Sequence, residues 1–278
     1  MKAAFFNDNL DYMLVDGKKC SIYDKNGKET PLFEAEAVKH FVVDDLVAHI
    51  VFDAYTPPYD DKTLYYHPLS KYSTSKLVKS ESFGECIDAV AANEDYVFVS
   101  HDKSISILPN NFNDSPLPLD KIVCKNAVTC MTASSKYFIF ADGTEVHVYD
   151  GKTLVCKHVY PSDDSHGVKH SIKFMKVCGN VCIVISSKTT LIHILSLTDF
   201  AISPPVRLGY LWRNIRSIEM TEKVVIIISD KTLHVLNFNG KDVHQTIDLS
   251  NINTIASRVI GDKVYILDDK NRIHECQM

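Results

Sequence analysis

The sequence predicts an all-β chain folded as a seven-bladed β-propeller. Three observations point there: a repeat of 39 to 45 residues, strand-like apolar runs along the whole chain, and almost no helical periodicity. The repeat is a short apolar run, then Asp-Lys-Thr or a near relative, then a second alternating run, and it occurs seven times. The copies read YMLVDGKKCSIYD from Tyr12, DDKTLYYHP from Asp60, VFVSHDKSISIL from Val97 and YFIFADGTEVHVYD from Tyr137. CIVISSKTTLIHIL from Cys182, VVIIISDKTLHVLN from Val224 and VYILDDKNRIHEC from Val264 complete the set. With Asp16, Asp61, Asp102, Asp142, Ser187, Asp230 and Asp269 as anchors, the steps are 45, 41, 40, 45, 43 and 39 residues. That is the period of propeller blades.

Each blade is expected to hold four antiparallel strands. The innermost is the short run before each anchor pair: Cys86 to Ala91, Val128 to Ala133, His170 to Phe174, Ile215 to Met220 and Thr254 to Val259. The second and third strands flank the anchor. A run such as Val224 to Ile228 is apolar on both faces because a middle strand is sandwiched between neighbouring blades. Turns follow at Asp24 to Gly27, Asp150-Gly151 and Asn237 to Gly240, where Asn-Gly and Asp-Gly supply positive φ angles. More polar segments, Leu154 to Tyr160 and Val243 to Leu249, read as outer edge strands. The final copy reaches Met278 straight after its third strand, so the last blade is expected to be three-stranded or to be completed by an N-terminal strand. The chain reads as one domain, 1–278, with approximate blades 1–37, 38–82, 83–124, 125–161, 168–206, 212–250 and 251–278.

Hydrophobic residues make up 45% and charged residues 23%, a globular composition able to bury a core. The formal charge of -5 repels a phosphate backbone and an anionic membrane, so any nucleic-acid contact must be local. Eight scattered cysteines, several inside apolar runs such as Val181-Cys182-Ile183, fit reduced core thiols and a reducing compartment. MKAAFFNDNL lacks the apolar length of a signal peptide and no run is long enough to span a bilayer, so a cytoplasmic or nuclear location is expected.

The stretch DGTEVHVYDGKTL, Asp142 to Leu154, resembles the strand, turn and strand of WD-repeat blades, with Tyr149-Asp150 standing where that family has Trp-Asp. Tyr23-Asp24 repeats the pattern, and SDKTLHVLN, Ser229 to Asn237, is similar with Leu236-Asn237 in that place. The resemblance covers essentially the whole chain and is to a degenerate member: no Trp-Asp pair and no Gly-His pair is present. It implies a turn aspartate, kept at Asp102, Asp230 and Asp269, and a role as an assembly platform.

Candidate chemistry is sparse. His147, His193, His234 and His274 recur at one repeat position, where successive blades point them around a ring, so packing between blades is expected in place of a metal site. Cys178 and Cys182 flank the hairpin turn Gly179-Asn180 and can face one another as core thiols. The anchors Asp102, Asp142, Asp230 and Asp269 come one per blade, too dispersed for paired acid-base work, and read as turn formers. No nucleotide, hydrolase or zinc-protease motif is present, so no catalytic residue, cofactor or metal is expected.

The segment Ser203 to Arg216, SPPVRLGYLWRNIR, holds the only tryptophan and groups Tyr210, Trp212, Arg213 and Arg216, residue types enriched in binding hot spots. It is placed on the face that carries the turns between second and third strands. The insertion Asp53 to Asp60, with Tyr55 and Tyr59, and the loop Ser162 to Gly167 are placed there too, and Asn110 to Pro118 is a further candidate loop. The expected function is a non-catalytic scaffold subunit of an intracellular complex, binding other proteins through one rim, with no membrane partner and no sign of self-association. An alternative uses Arg207, Arg213 and Arg216 beside Tyr210 and Trp212 to hold RNA in a ribonucleoprotein, ribosome-associated or accessory to an RNA-modifying enzyme. A third reading places an enzyme or ligand site in the central channel, among Lys39, His40, Asp88, Lys173, Arg216, Glu219 and Arg258.

Overall fold

The computed structural model describes residues 2–5, 7–34, 38–43, 49–54, 65–68, 78–79, 82–83, 86–110, 118–160, 171–186, 191–204, 206–207, 215–221, 223–237 and 243–278. For 33, 39–43, 49–54, 65–68, 78–79, 191, 206–207 and 243–244 only the backbone course is described.

Every sheet is an antiparallel meander in chain order. The first holds β1 (Lys2–Phe5), β2 (Tyr12–Asp16), β3 (Lys19–Tyr23) and β4 (Glu29–Glu34). Next come β5 (Val38–Val43), β6 (His49–Ala54), β7 (Tyr65–Pro68) and β8 (Val78–Lys79). The third sheet is β9 (Ile87–Ala92), β10 (Tyr96–His101), β11 (Ser104–Pro109) and β12 (Asp120–Val123). The fourth is β13 (Val128–Ala133), β14 (Tyr137–Asp142), β15 (Glu145–Asp150) and β16 (Thr153–Val159). Then follow β17 (Ile172–Cys178), β18 (Val181–Ser186), β19 (Leu191–Ser196) and β20 (Val206–Arg207). The sixth is β21 (Ile215–Met220), β22 (Val224–Ser229), β23 (Thr232–Asn237) and β24 (Val243–Asp248). The last sheet has only β25 (Thr254–Ile260), β26 (Lys263–Asp268) and β27 (Ile273–Gln277).

This corrects the expected ring of seven blades, four strands in each with the last either three-stranded or closed by the N-terminus: among the described residues six blades are four-stranded, and the remaining sheet, β25–β27, holds three. The N-terminal strand does not complete it. β1 pairs with β2, from Lys2↔Val15 to Phe5↔Tyr12, and is therefore the innermost strand of its own sheet.

The sheets stack because their middle strands are apolar on both faces. Ile226 and Ile228 pack toward the last sheet while Val225 and Ile227 pack toward the fifth. A lone sheet would leave one of those rows in water. Inner strands therefore succeed one another around an axis: β5 lies on β9, β9 on β13, β13 on β17, β17 on β21, β21 on β25, and β25 on β1. The circuit continues where Lys2 Nζ donates to the Val38 carbonyl at 2.9 Å. Phe5, Tyr12 and Leu14 of the first sheet pack with Ala256 and Leu267 of the last.

The Asp-Lys element of the repeat is a two-residue hairpin turn. Asp102 and Lys103, between β10 and β11, have φ of 38° and 55°, the pair of left-handed residues that a type I′ turn requires. Asp tolerates that region better than most residues; the longer turn of the last sheet instead places its positive φ at Asn271.

Phe98 and Phe138 stack with ring centroids 3.8 Å apart and planes parallel, joining the third and fourth sheets. Both are about 1% exposed, so truncation opens a cavity that neither sheet can close alone. Phe138→Ala is expected to cost about 3–5 kcal/mol, read as a lowered urea midpoint. A change below about 1 kcal/mol shows that the blades repack freely.

Candidate functional site

The recurrent histidines are tied inside their own blades. Asp142 ends β14, is 1% exposed, and meets His147 Nε2 at 3.1 Å through Oδ1 while accepting from Lys125 N through Oδ2 at 3.1 Å. His147 also stacks on Phe140, its cross-strand partner, at 4.6 Å. In the last sheet Asp268, again 1% exposed, meets His274 Nε2 at 2.9 Å and takes bonds from the backbone of Lys270 and Arg272 and from the Arg272 guanidinium. In the sixth, Ser229 replaces the carboxylate: it bonds Thr232, Thr232 bonds His234 Nε2 at 2.8 Å, and His234 Nδ1 meets Thr246 of the outer strand at 3.1 Å. His193 is buried with its ring edge-on to Tyr160 at 4.9 Å.

The expectation that all the anchor aspartates are plain turn formers is therefore corrected. Asp142 sits at the end of the second strand, in the buried tie, while Asp102, Asp230 and Asp269 stand one residue later, in the turn itself. The residue equivalent to Asp142 is Asp268, not Asp269. Sequence spacing alone cannot separate neighbours whose anchors drift by one position.

Asp142, Glu145 and His147 also bring one ligand atom each within 4.8 Å of one another. Glu145 faces Asp142 directly across the hairpin, a pairing of carboxylates that the one-per-blade reading overlooked. Lys157 Nζ lies 2.7 Å from Glu145 Oε2, and this hydrogen bond holds the carboxyl below the ordinary range. A cation is thus already supplied by the chain.

On the inner strands, Lys176 Nζ lies 3.4 Å from Glu219, Ser257 Oγ donates to Glu219 at 3.0 Å, and Ser217 meets Ser257 at 2.7 Å. This chain of contacts sews β17, β21 and β25 together. Arg258 pairs with Asp8 at 2.8 Å, and Lys173 lies over the Phe174 ring at 5.2 Å. Asp88 is exposed. The side chains of Lys39 and His40 lie outside the described residues. Among the channel candidates only Glu219 gathers several polar groups, and these balance it.

Arg216 opens β21 and its guanidinium is paired with Asp230 of the β22–β23 turn. That contact places the start of the inner strand beside the turn between second and third strands, on the face assigned to the Ser203 to Arg216 segment. Next to it is a cleft of about 320 Å³ between the sixth and last sheets, lined by Asp230, Lys231, Asn251, Asn253, Asp269 and Lys270. Asn253 donates to Asp269 at 2.9 Å, whereas Lys231 and Lys270 form no ion pair among the described residues. The signal was present in the sequence: the repeated Asp-Lys turn, Asp230-Lys231 and Asp269-Lys270, lands twice on one rim. Tyr210, Trp212, Arg213, Tyr55 and Tyr59, with the loop Ser162 to Gly167, lie outside the described residues.

Cys178 and Cys182 do not face each other. Cys182 is fully buried between the fourth and fifth sheets, and Cys178 packs on the opposite side, toward the sixth, because residues of a strand pair separated by an odd register step take opposite faces. None of the eight cysteines is in a disulfide, and burial pushes the Cys130 and Cys20 thiols up to about 12, the behaviour of inert core thiols.

Two acid-sensitive steps follow from the ties. Burial alone raises the Asp268 carboxyl, but the bonds from His274, Arg272 and Lys270 outweigh it and hold the group well below its ordinary value. A depressed carboxylate stabilises the fold above its unfolded pKa and loses that contribution as pH falls below about 4. Burial also lowers the His234 pKa, so its contribution is present above about pH 6.5 and is lost as pH falls through the folded value. Urea midpoints measured from pH 8 to pH 2 are expected to fall in both windows. Asp268→Asn removes the lower step and destabilises the protein by about 2–4 kcal/mol at pH 7; an unchanged acid limb in that variant shows that Asp268 does not carry it.

No protein-family model matches the sequence, and no curated protein matches it. Solved structures do. The WD40 β-propeller domain of Doa1 is similar over 98% of this chain and 90% of that one, at 11% identity and a TM-score of 0.70. A chain of the mitotic checkpoint complex is similar over 100% and 86%, at 9% identity and a TM-score of 0.75. Hsv2 of Kluyvelomyces marxianus is similar over 99% and 96%, at 13% identity and a TM-score of 0.68. A computationally designed protein, Ika8, shares the same likeness at a TM-score of 0.66, so the similarity is one of backbone architecture and carries no activity with it. The chain thus has the WD40 β-propeller fold, with the sequence marks of that repeat largely replaced.

Proposed function

We propose that this chain is a non-catalytic interaction platform that holds other proteins of a complex through the rim carrying Arg216, Asp230, Lys231, Asp269 and Lys270. The observation that supports the reading is how the chemistry is distributed. Buried carboxylates and histidines are spent on ties within blades, and the lysines Lys231 and Lys270 stand together on the rim cleft. Such a surface suits a protein partner with its own mixed charges. The likeness to the WD40 β-propeller domain of Doa1 and to a chain of the mitotic checkpoint complex, a protein assembly, adds support of a general kind. Cytoplasm or nucleus is the proposed location; no helix among the described residues is long and apolar enough to cross a membrane.

The ribonucleoprotein alternative is weakened at one position. Of its three arginines, Arg216 is neutralised by Asp230.

The test is affinity purification of the tagged chain from its native cell, with and without nuclease, comparing wild type with Lys231→Glu/Lys270→Glu and with Tyr210→Ala/Trp212→Ala. Proteins recovered with wild type are expected to drop roughly tenfold or more with the charge-reversed rim, while the thermal midpoint stays within about 2 °C because exposed charges contribute little to stability. Recovery that is unchanged by both double variants sinks the rim reading. Recovery lost on nuclease treatment moves the function to RNA.

A further inference from the structure

We propose that the outer edge of β27 is a docking site for an extended segment of a partner protein, which adds antiparallel as the fourth strand of the last sheet. In the six other sheets the third strand is covered by a fourth; here, among the described residues, the ladder ends with β27 on the outside. Asp268 N bonds the Arg272 carbonyl and Met278 N bonds the Asp262 carbonyl, so the even-numbered residues of β27 point their backbone groups inward. By the alternation of an antiparallel ladder, Ile273, Glu275 and Gln277 point theirs outward. Gln277 O is met by the Gln245 side chain, leaving Ile273 and Glu275 as the main backbone partners.

A second observation comes from the repeat histidine. In the sixth sheet, where β24 covers it, His234 is 3% exposed and both ring nitrogens are bonded, Nδ1 to Thr246. Its counterpart His274 is 29% exposed; Nε2 meets Asp268 and Nδ1 has no partner among the described residues. The repeat therefore specifies the chemistry of the occupant. β24 sets Ile247 opposite Leu233 and Thr246 opposite His234. A strand on β27 needs, in the same places, an apolar residue opposite Ile273, above Tyr23 and Tyr265 of the same apolar cluster, and a hydroxyl opposite His274. An extended peptide with that alternation meets both demands through backbone bonds plus two side-chain contacts. This edge is distinct from the rim cleft, and neither proposal depends on the other.

The probe is a synthetic peptide of residues 241–250, KDVHQTIDLS, the chain's own fourth-strand sequence, added to the intact protein. Saturable binding below about 1 mM is expected, with backbone hydrogen exchange at Ile273 and Glu275 slowed at least about tenfold. Methylating the peptide nitrogen at Ile247, which leaves the protein unaltered, is expected to abolish the effect. Glu275→Pro removes an outward N–H without breaking a backbone bond to β26 and is expected to weaken binding at least about tenfold; Glu275→Ala, which likewise loses the Lys263 ion pair but keeps the N–H, is expected to bind as wild type. Absence of binding, binding that spares those two amides, or binding indifferent to methylation overturns the proposal. Slow exchange at both amides without peptide also overturns it: at all concentrations this means that the chain fills its own edge, and only at high concentration that a second copy does. Lys231→Glu/Lys270→Glu is expected to leave peptide binding unchanged, which separates this edge from the rim.

Discussion

The contact of β1 with β25 is the constraint on which the other sheets depend. Middle strands such as β22 carry apolar rows on both faces, so a linear stack of sheets leaves an apolar face in water at each end. Bringing Phe5, Tyr12 and Leu14 against Ala256 and Leu267 removes both ends at once. Among the described residues no covalent or strand-exchange closure is seen; the seam is held by side-chain packing and by Arg258 on Asp8.

Much of this was legible in the sequence because strand pairing and sandwiching leave marks with a fixed period. Val224 to Ile228 announces a middle strand, and Asp102-Lys103 announces a two-residue turn, because each demand is met by few residue types. Strand number in the last sheet was less legible. Whether an edge strand forms depends on what pairs with β27, and β1 looks equally able to serve until its register with β2 is known. The one-residue distinction between Asp268 and Asp269 was hidden for a similar reason: an Asp-Asp step reads the same whichever member is buried. The rim cleft was half legible. Its Asp-Lys pairs are visible as repeats, but only the ring places Asp230-Lys231 beside Asp269-Lys270.

The Asp–His ties explain how the fold keeps its hairpins after losing the residues by which WD repeats are recognised. The sequence has no Trp-Asp pair and no Gly-His pair. In two hairpins a carboxylate at the end of the second strand grips a histidine of the third directly, and in the sixth sheet Ser229 reaches His234 through Thr232. The substitution is local, so blades can drift independently: Asp142, Asp268 and Ser229 solve one problem in related ways, and His101 bonded to Ser106 at 2.8 Å solves it with the roles exchanged. Sequence identities of 9 to 13% to other propellers are compatible with such freedom.

The pairing of Arg258 with Asp8 spans 250 positions of the chain. During synthesis at the ribosome, the first sheet emerges with its apolar Phe5 and Leu14 face uncovered and must wait until the last sheet has been made. At typical elongation rates that interval is on the order of ten seconds or more, long compared with hairpin formation. The earliest sheets therefore form well before the ring can shut, and the nascent chain carries an adhesive surface throughout. Holding that surface away from other chains is a demand placed on the cell by the same seam that makes the finished ring self-contained.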